Sequence, residues 1–133
     1  MNVGVPHLVV FVPGDLSALP IERLAPPLRR HPALPDGANV NFVEVTGPAS
    51  IRVRTYERGV EGETLACGSG VVASAIVAAR QRLVSAPVVC ATRSGAAFTV
   101  DFSERDGRIV DAVLTGDARE IYSAELNMDA WEE

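Results

Sequence analysis

Residues 57–83 constrain this chain more than any other stretch. A cysteine at position 67 stands between a charged loop punctuated by glycine (57–66) and an apolar run, 71–79, in which only Ser74 is polar. Small and apolar residues on every side predict a helix buried all round rather than one lying on a surface, over about 68–83. Cys67 then sits at the N-terminal end of that helix. The backbone N–H groups of Gly68, Ser69 and Gly70 have no partner inside it. Together with the helix field they favour an anion, and they favour a thiolate at Cys67. Gly68 and Gly70 bracket Ser69 and allow a ligand to approach the backbone closely. A nucleophile or base beside a carboxylate cradle is the chemistry this pattern points to. The bland alternative is a small buried cysteine.

A helix buried on all sides needs a sheet around it, and the remaining chain supplies strands. Residues 7–12 form a β-rich run ended by Pro13-Gly14. Residues 39–45 and 50–57 read as two strands joined at Thr46-Gly47-Pro48. In the second, Ile51, Val53 and Thr55 face one way and Arg52, Arg54 and Tyr56 the other. Four further strands are expected at 87–92, 97–102, 108–115 and 119–125, with turns at Ser94-Gly95, Arg105-Asp106-Gly107 and Gly116-Asp117. Between the first two strands, Leu16, Leu19, Ile21, Leu24 and Leu28 recur at helical spacing. Pro20, Pro26 and Pro27 limit that helix to about 21–30, with a break near Pro26. The expected class is α+β: a curved, mostly antiparallel sheet or barrel wrapped around one central buried helix. Residues 1–126 are expected to form one domain and 127–133 a loose tail. The chain starts almost inside its first strand, as a piece would that had lost what preceded it.

The bulk properties exclude several classes. With 133 residues and 47% hydrophobic content, the chain can bury a sizeable core. Its net charge of −5 offers no basic field for nucleic acid or an anionic membrane. No run approaches the ~18 apolar residues of a membrane span, and the N-terminus lacks the layout of a signal peptide. Two cysteines, Cys67 and Cys90, make no disulfide framework. A cytoplasmic protein is expected. All 12 basic residues are arginine, to which no function is attached. Cys90, inside an apolar strand, reads as core.

Other residues carry chemistry only in context. His7 alone reads equally as a strand-end histidine or as part of a site. Asn39 alone is a turn residue, and Arg58 beside Glu57 a solvated pair. In combination, Glu57-Arg58-Gly59, Gly62-Glu63-Thr64 and Ala66-Cys67-Gly68-Ser69-Gly70 resemble the second active-site signature of the diaminopimelate epimerase family. The resemblance extends to Gly4-Val5-Pro6-His7, Asn39-Val40-Asn41-Phe42 and Thr115-Gly116-Asp117-Ala118, and so spans nearly the whole chain.

The resemblance implies one of two like domains, the C-terminal half of an isomerase that interconverts LL- and meso-diaminopimelate in lysine and peptidoglycan precursor synthesis. Such enzymes use no PLP, and no other cofactor or metal is implied. Each half supplies one cysteine: one thiolate removes the α-proton and the other thiol protonates the opposite face. Carried over, Cys67 is one acid/base, Glu57 its proton-handling partner, and His7 an aid to the cysteine of the other half. Gly68 and Ser69 hold the reacting carboxylate through backbone N–H groups, and Asn39 and Arg58 bind the distal end of the substrate.

Three departures stand out. Val5 replaces the asparagine common before Pro-His. The loop from Glu57 to Cys67 is one residue longer than in the commonest form of the family, with Glu61 as the insertion and Glu63 as a second candidate partner for the thiol. No second Cys-Gly helix start exists, since Ala91-Thr92-Arg93 follows Cys90. The expected partner is the missing N-terminal domain or a second copy at the exposed inter-domain face. Two other readings fit part of the pattern. A proline-racemase-like isomerase domain shares Cys-Gly-[Ser/Thr]-Gly but lacks the context around Glu57 and Glu63. The last alternative is a non-catalytic binding domain or half-gene remnant.

Overall fold

The structure is a computed structural model that describes residues 1–127. Its strands are β1 (His7–Phe11), β2 (Asn39–Gly47), β3 (Ser50–Glu57), β4 (Gly62–Thr64), β5 (Val88–Thr92), β6 (Ala97–Arg105) and β7 (Arg108–Thr115). Its helices are α1 (Ile21–Arg29) and α2 (Gly68–Arg80), with a 3₁₀ turn at Leu16–Ala18. The strands form one sheet in the order β1-β2-β3-β5-β6-β7, and β4 pairs with the far end of β3. The β1–β2 and β3–β5 pairs are parallel and the other four antiparallel. The result is a mixed sheet curled as a half-barrel around α2.

Strand alternation sorts side chains to two faces. Val43, Ile51, Val53, Val88, Cys90 and Val100 pack against α2 on the inner face. Val40, Phe42 and Tyr56 pack outward against Leu16, Ile21 and Ala25. The expected single buried helix is present, and α1 adds a second layer behind β1–β3. The predicted alternation of β3 holds, with Tyr56 buried by α1 rather than exposed.

Helix α1 runs unbroken through Pro26 and Pro27, contrary to the expected break. Its stripe of Ile21, Leu24, Ala25 and Leu28 belongs to the outer cluster. That packing offsets the two backbone bonds the prolines cannot make. Residues 119–125, expected from their pattern to form a strand, do not form one: 116–127 carry no regular structure. Ile121 and Tyr122 are 90% and 81% exposed and meet no strand edge among the described residues. Alternation alone cannot make a strand without a partner to take its hydrogen bonds. Of the expected 127–133 tail, residues 128–133 lie outside the described residues.

One outer-face arginine ties the layers together. Arg54 on β3 donates through Nε and Nη2 to both oxygens of Glu63, at 2.6 and 2.8 Å. Its Nη1 donates to the carbonyls of Leu16, Ser17 and Leu19 around the 3₁₀ turn. The Glu63 side chain is 3% exposed and also meets Arg93 at 3.1 Å. Removing Arg54 leaves a buried carboxylate with one exposed partner. Arg54→Met is expected to cost about 3 kcal/mol in unfolding free energy, read from urea midpoints.

Candidate functional site

Cys67 is the N-cap residue of α2, extended at φ −130° and ψ 108°, and its carbonyl accepts from Val71 N–H at 2.9 Å. Its thiol is half-buried. Ser69, in the first turn, places its Oγ 3.5 Å from Cys67 Sγ. The same Oγ lies 3.1 Å from His7 Nε2. The helix start, the thiol and an imidazole therefore meet at one hydroxyl.

The sheet explains the meeting. His7 opens β1 and lies opposite Asn39 in β2, and Val9 lies opposite Asn41. Asn41 in turn lies opposite Thr55 in β3. Inward-facing positions at one end of three adjacent strands thus hold His7, Asn39, Asn41 and Thr55, all buried. Asn41 is fully buried and satisfied on both sides. Its amide nitrogen faces His7 Nδ1 at 3.1 Å and donates to the Leu8 carbonyl at 3.2 Å, and Thr55 Oγ1 donates to its oxygen at 2.9 Å.

Helix α2 settles on this layer through Gly70. A Cβ there would stand 2.3 Å from Asn41 Oδ1 and 3.2 Å from Thr55 Oγ1. Gly70 is therefore a contact requirement, and it sets the depth of the helix N-terminus against the sheet.

Burial lowers the pKa of His7, so neutral imidazole is favoured; the positive N-terminal amine acts in the same direction and Glu57 in the opposite one. Glu57 is near enough for its charge to act on His7. Its Oε1 accepts from Thr64 Oγ1 at 2.5 Å, and no hydrogen bond joins it to Cys67 among the described residues. Asn39 Oδ1 accepts from the Arg58 backbone N–H at 2.7 Å, and Arg58 Nη1 donates to the Asp36 carbonyl at 2.8 Å. Glu63, the second candidate partner for the thiol, is committed to Arg54 and Arg93 on the other face.

Glu61, in the loop between β3 and β4, adopts φ +55°. Its carboxylate accepts from Arg29, the last residue of α1, and from Arg30 just after it. The loop tip is thereby tied to the end of α1. Cys90 is the opposite of Cys67: fully buried, with its thiol pushed up to about 12 by desolvation.

The structure brings His7 and Cys67 each against the Ser69 hydroxyl and places Glu57 near enough to act on His7. Asn39 and Arg58 meet each other a short way off. Sequence reasoning passed over Asn41 and Thr55 as site residues. The available signal was two polar side chains on inward positions of otherwise apolar strands.

A curled sheet around a buried helix, with a thiol at the helix N-terminus beside an imidazole and a carboxylate, defines an α+β epimerase-like domain. The chain belongs to the diaminopimelate epimerase family, whose model matches residues 1–121. It is 43% identical over 134 residues to a diaminopimelate epimerase of Aquifex aeolicus, covering 99% of this chain and 47% of that protein. A diaminopimelate epimerase of Rhizorhabdus wittichii is 42% identical over 98% of this chain and 45% of its own length. One from Methanothrix thermoacetophila is 48% identical over 71% of this chain and 33% of its own length. The chain thus spans about half the length, or less, of these curated relatives.

Proposed function

We propose that this chain is the C-terminal half of a PLP-independent, two-base amino-acid epimerase acting on diaminopimelate. The observation that carries the reading is Cys67 at the α2 N-terminus, one hydroxyl away from His7. An α-hydrogen next to a carboxylate is a very weak acid. Its removal needs charge stabilisation at the carboxylate and a base with a tuned pKa. The N–H groups of Gly68 and Ser69 offer the stabilisation, and the Cys67 thiolate is the base.

The Cys67 thiolate takes the α-proton while the freed electron pair spreads into the carboxylate held at the helix start. A thiol of the complementary half then gives a proton to the opposite face. The net change is inversion, with one thiol protonated and the other deprotonated at its end. Glu57 and His7 manage protons around the thiols. Asn39 and Arg58 take the distal end of the substrate, where an arginine suits a second carboxylate. The cytoplasm is the matching compartment for a mechanism that needs a free thiol.

The partner is the N-terminal half. Val110, Val113 and Leu114 on β7, and Ile121, Tyr122 and Leu126 beyond it, are exposed. An apolar surface of this kind marks an interaction face. Leu114 lies against Gly68, since a Cβ on that glycine would meet its Cδ2 at 3.3 Å. Leu114, on the α2 side of β7 opposite Val100, therefore brings exposed apolar surface to the border of the site, where a partner domain would meet it.

The chain alone is expected to show no interconversion of LL- and meso-diaminopimelate, and mixing with a separately produced N-terminal half to restore it. Epimerisation by the isolated chain would defeat the half-site reading.

A further inference from the structure

Asn41 has no assigned part in the chemistry above, yet its contacts decide where the proton sits on His7. The Leu8 carbonyl can only accept a hydrogen bond, so the atom of Asn41 that faces it is the amide nitrogen. That nitrogen carries two hydrogens. One goes to Leu8, and the other points at His7 Nδ1, 3.1 Å away. The amide oxygen is turned to the Thr55 hydroxyl. A neutral imidazole that accepts at Nδ1 must carry its hydrogen on Nε2. Nε2 faces Ser69 Oγ, so the imidazole donates there. The Ser69 hydroxyl hydrogen is then left to point at Cys67 Sγ. Protonation of Nδ1 would set two donors face to face.

We propose that Asn41 is a positioning residue: by locking His7 in the Nε2–H tautomer it orients the Ser69 hydroxyl toward Cys67 and stabilises the thiolate. The proposal rests on the reading of Cys67 as an acid/base. It assigns His7 a task within its own half, through Ser69. The charged groups acting on His7 are the N-terminal amine and Glu57. Neither contacts Nδ1, so the tautomer is set by Asn41.

The test uses the ¹⁵N-labelled full chain, which has only two histidines, His7 and His31. Long-range ¹H–¹⁵N spectra are expected to show a pyrrole-type Nε2 and a pyridine-type Nδ1 for His7. In Asn41→Asp the carboxylate can only accept, and a proton is expected on Nδ1. In parallel, iodoacetamide labelling of Cys67 at a fixed neutral pH is expected to slow about tenfold in Asn41→Leu, the scale of one lost hydrogen bond to a charged group. In a Ser69→Ala background, Asn41→Leu is expected to add nothing, which a purely structural role would not produce.

A proton on Nδ1 rather than Nε2 in the wild-type chain would overturn the proposal, and that spectrum suffices even if a variant fails to fold. An Asn41→Asp spectrum with Nδ1 still unprotonated, or equal slowing with and without Ser69, would overturn it as well. None of these readings needs substrate or a partner half. They therefore fail separately from the epimerisation assay.

Discussion

Replacing Gly70 by alanine is expected to lower the unfolding free energy by about 3 kcal/mol, against the gain usual for a helix. Alanine is better than glycine in a helix by about 1 kcal/mol. At this position the new Cβ would stand 2.3 Å from Asn41 Oδ1. Asn41 cannot swing away cheaply, because it is fully buried and held by Leu8, Thr55 and His7. Overpacking a core costs about 1–3 kcal/mol, and stranding a buried polar group a further 1–3 kcal/mol. The two penalties exceed the helical gain. Gly68→Ala is the control: its Cβ meets only the Leu114 side chain, at 3.3 Å. Urea unfolding of the two variants separates a contact-imposed glycine from one that tolerates a methyl group.

The second large effect is on catalysis. Cys67→Ala, combined with the N-terminal half, is expected to lower the epimerisation rate by about a thousandfold, within the range for loss of a positioned acid or base. Stability should change by less than about 1 kcal/mol. The thiol is half-buried and makes no capping hydrogen bond to the helix. A variant that folds normally and loses turnover separates chemistry from structure.

Much of this site was legible before any coordinates, because local rules and tertiary demands agreed there. β3 alternates cleanly between glycine-marked turns, and β3 and β7 begin and end where the pattern puts them. The run of valine and alanine after Cys67 permits one environment only, a helix buried all round. Its C-terminal end was less legible. The helix stops at Arg80 rather than near Leu83, because Arg82 turns into the left-handed region at φ +59°. Arginine gives no warning of that, as glycine or asparagine would. The prolines of α1 misled for a related reason: the apolar stripe beneath them is a tertiary contact, invisible in a local penalty.

At 119–125 the pattern suggested a strand, and the missing ingredient was a neighbour. Asn41 was hidden by its setting, a polar residue between Val40 and Phe42 whose partners come from β1 and β3. Residues that act through such cross-strand bonds leave little trace in one dimension. Cys67 and Ser69, by contrast, declare themselves through the glycines beside them.

The most direct measurement of the central claim, that Cys67 is one of two opposed bases, is epimerisation of LL-diaminopimelate in D₂O by the recombined halves, followed by proton NMR and mass. The expected result is a meso product carrying solvent deuterium at the inverted carbon, formed only when Cys67 is present. A product that keeps its original α-hydrogen, or one formed at an undiminished rate by Cys67→Ala, would contradict it.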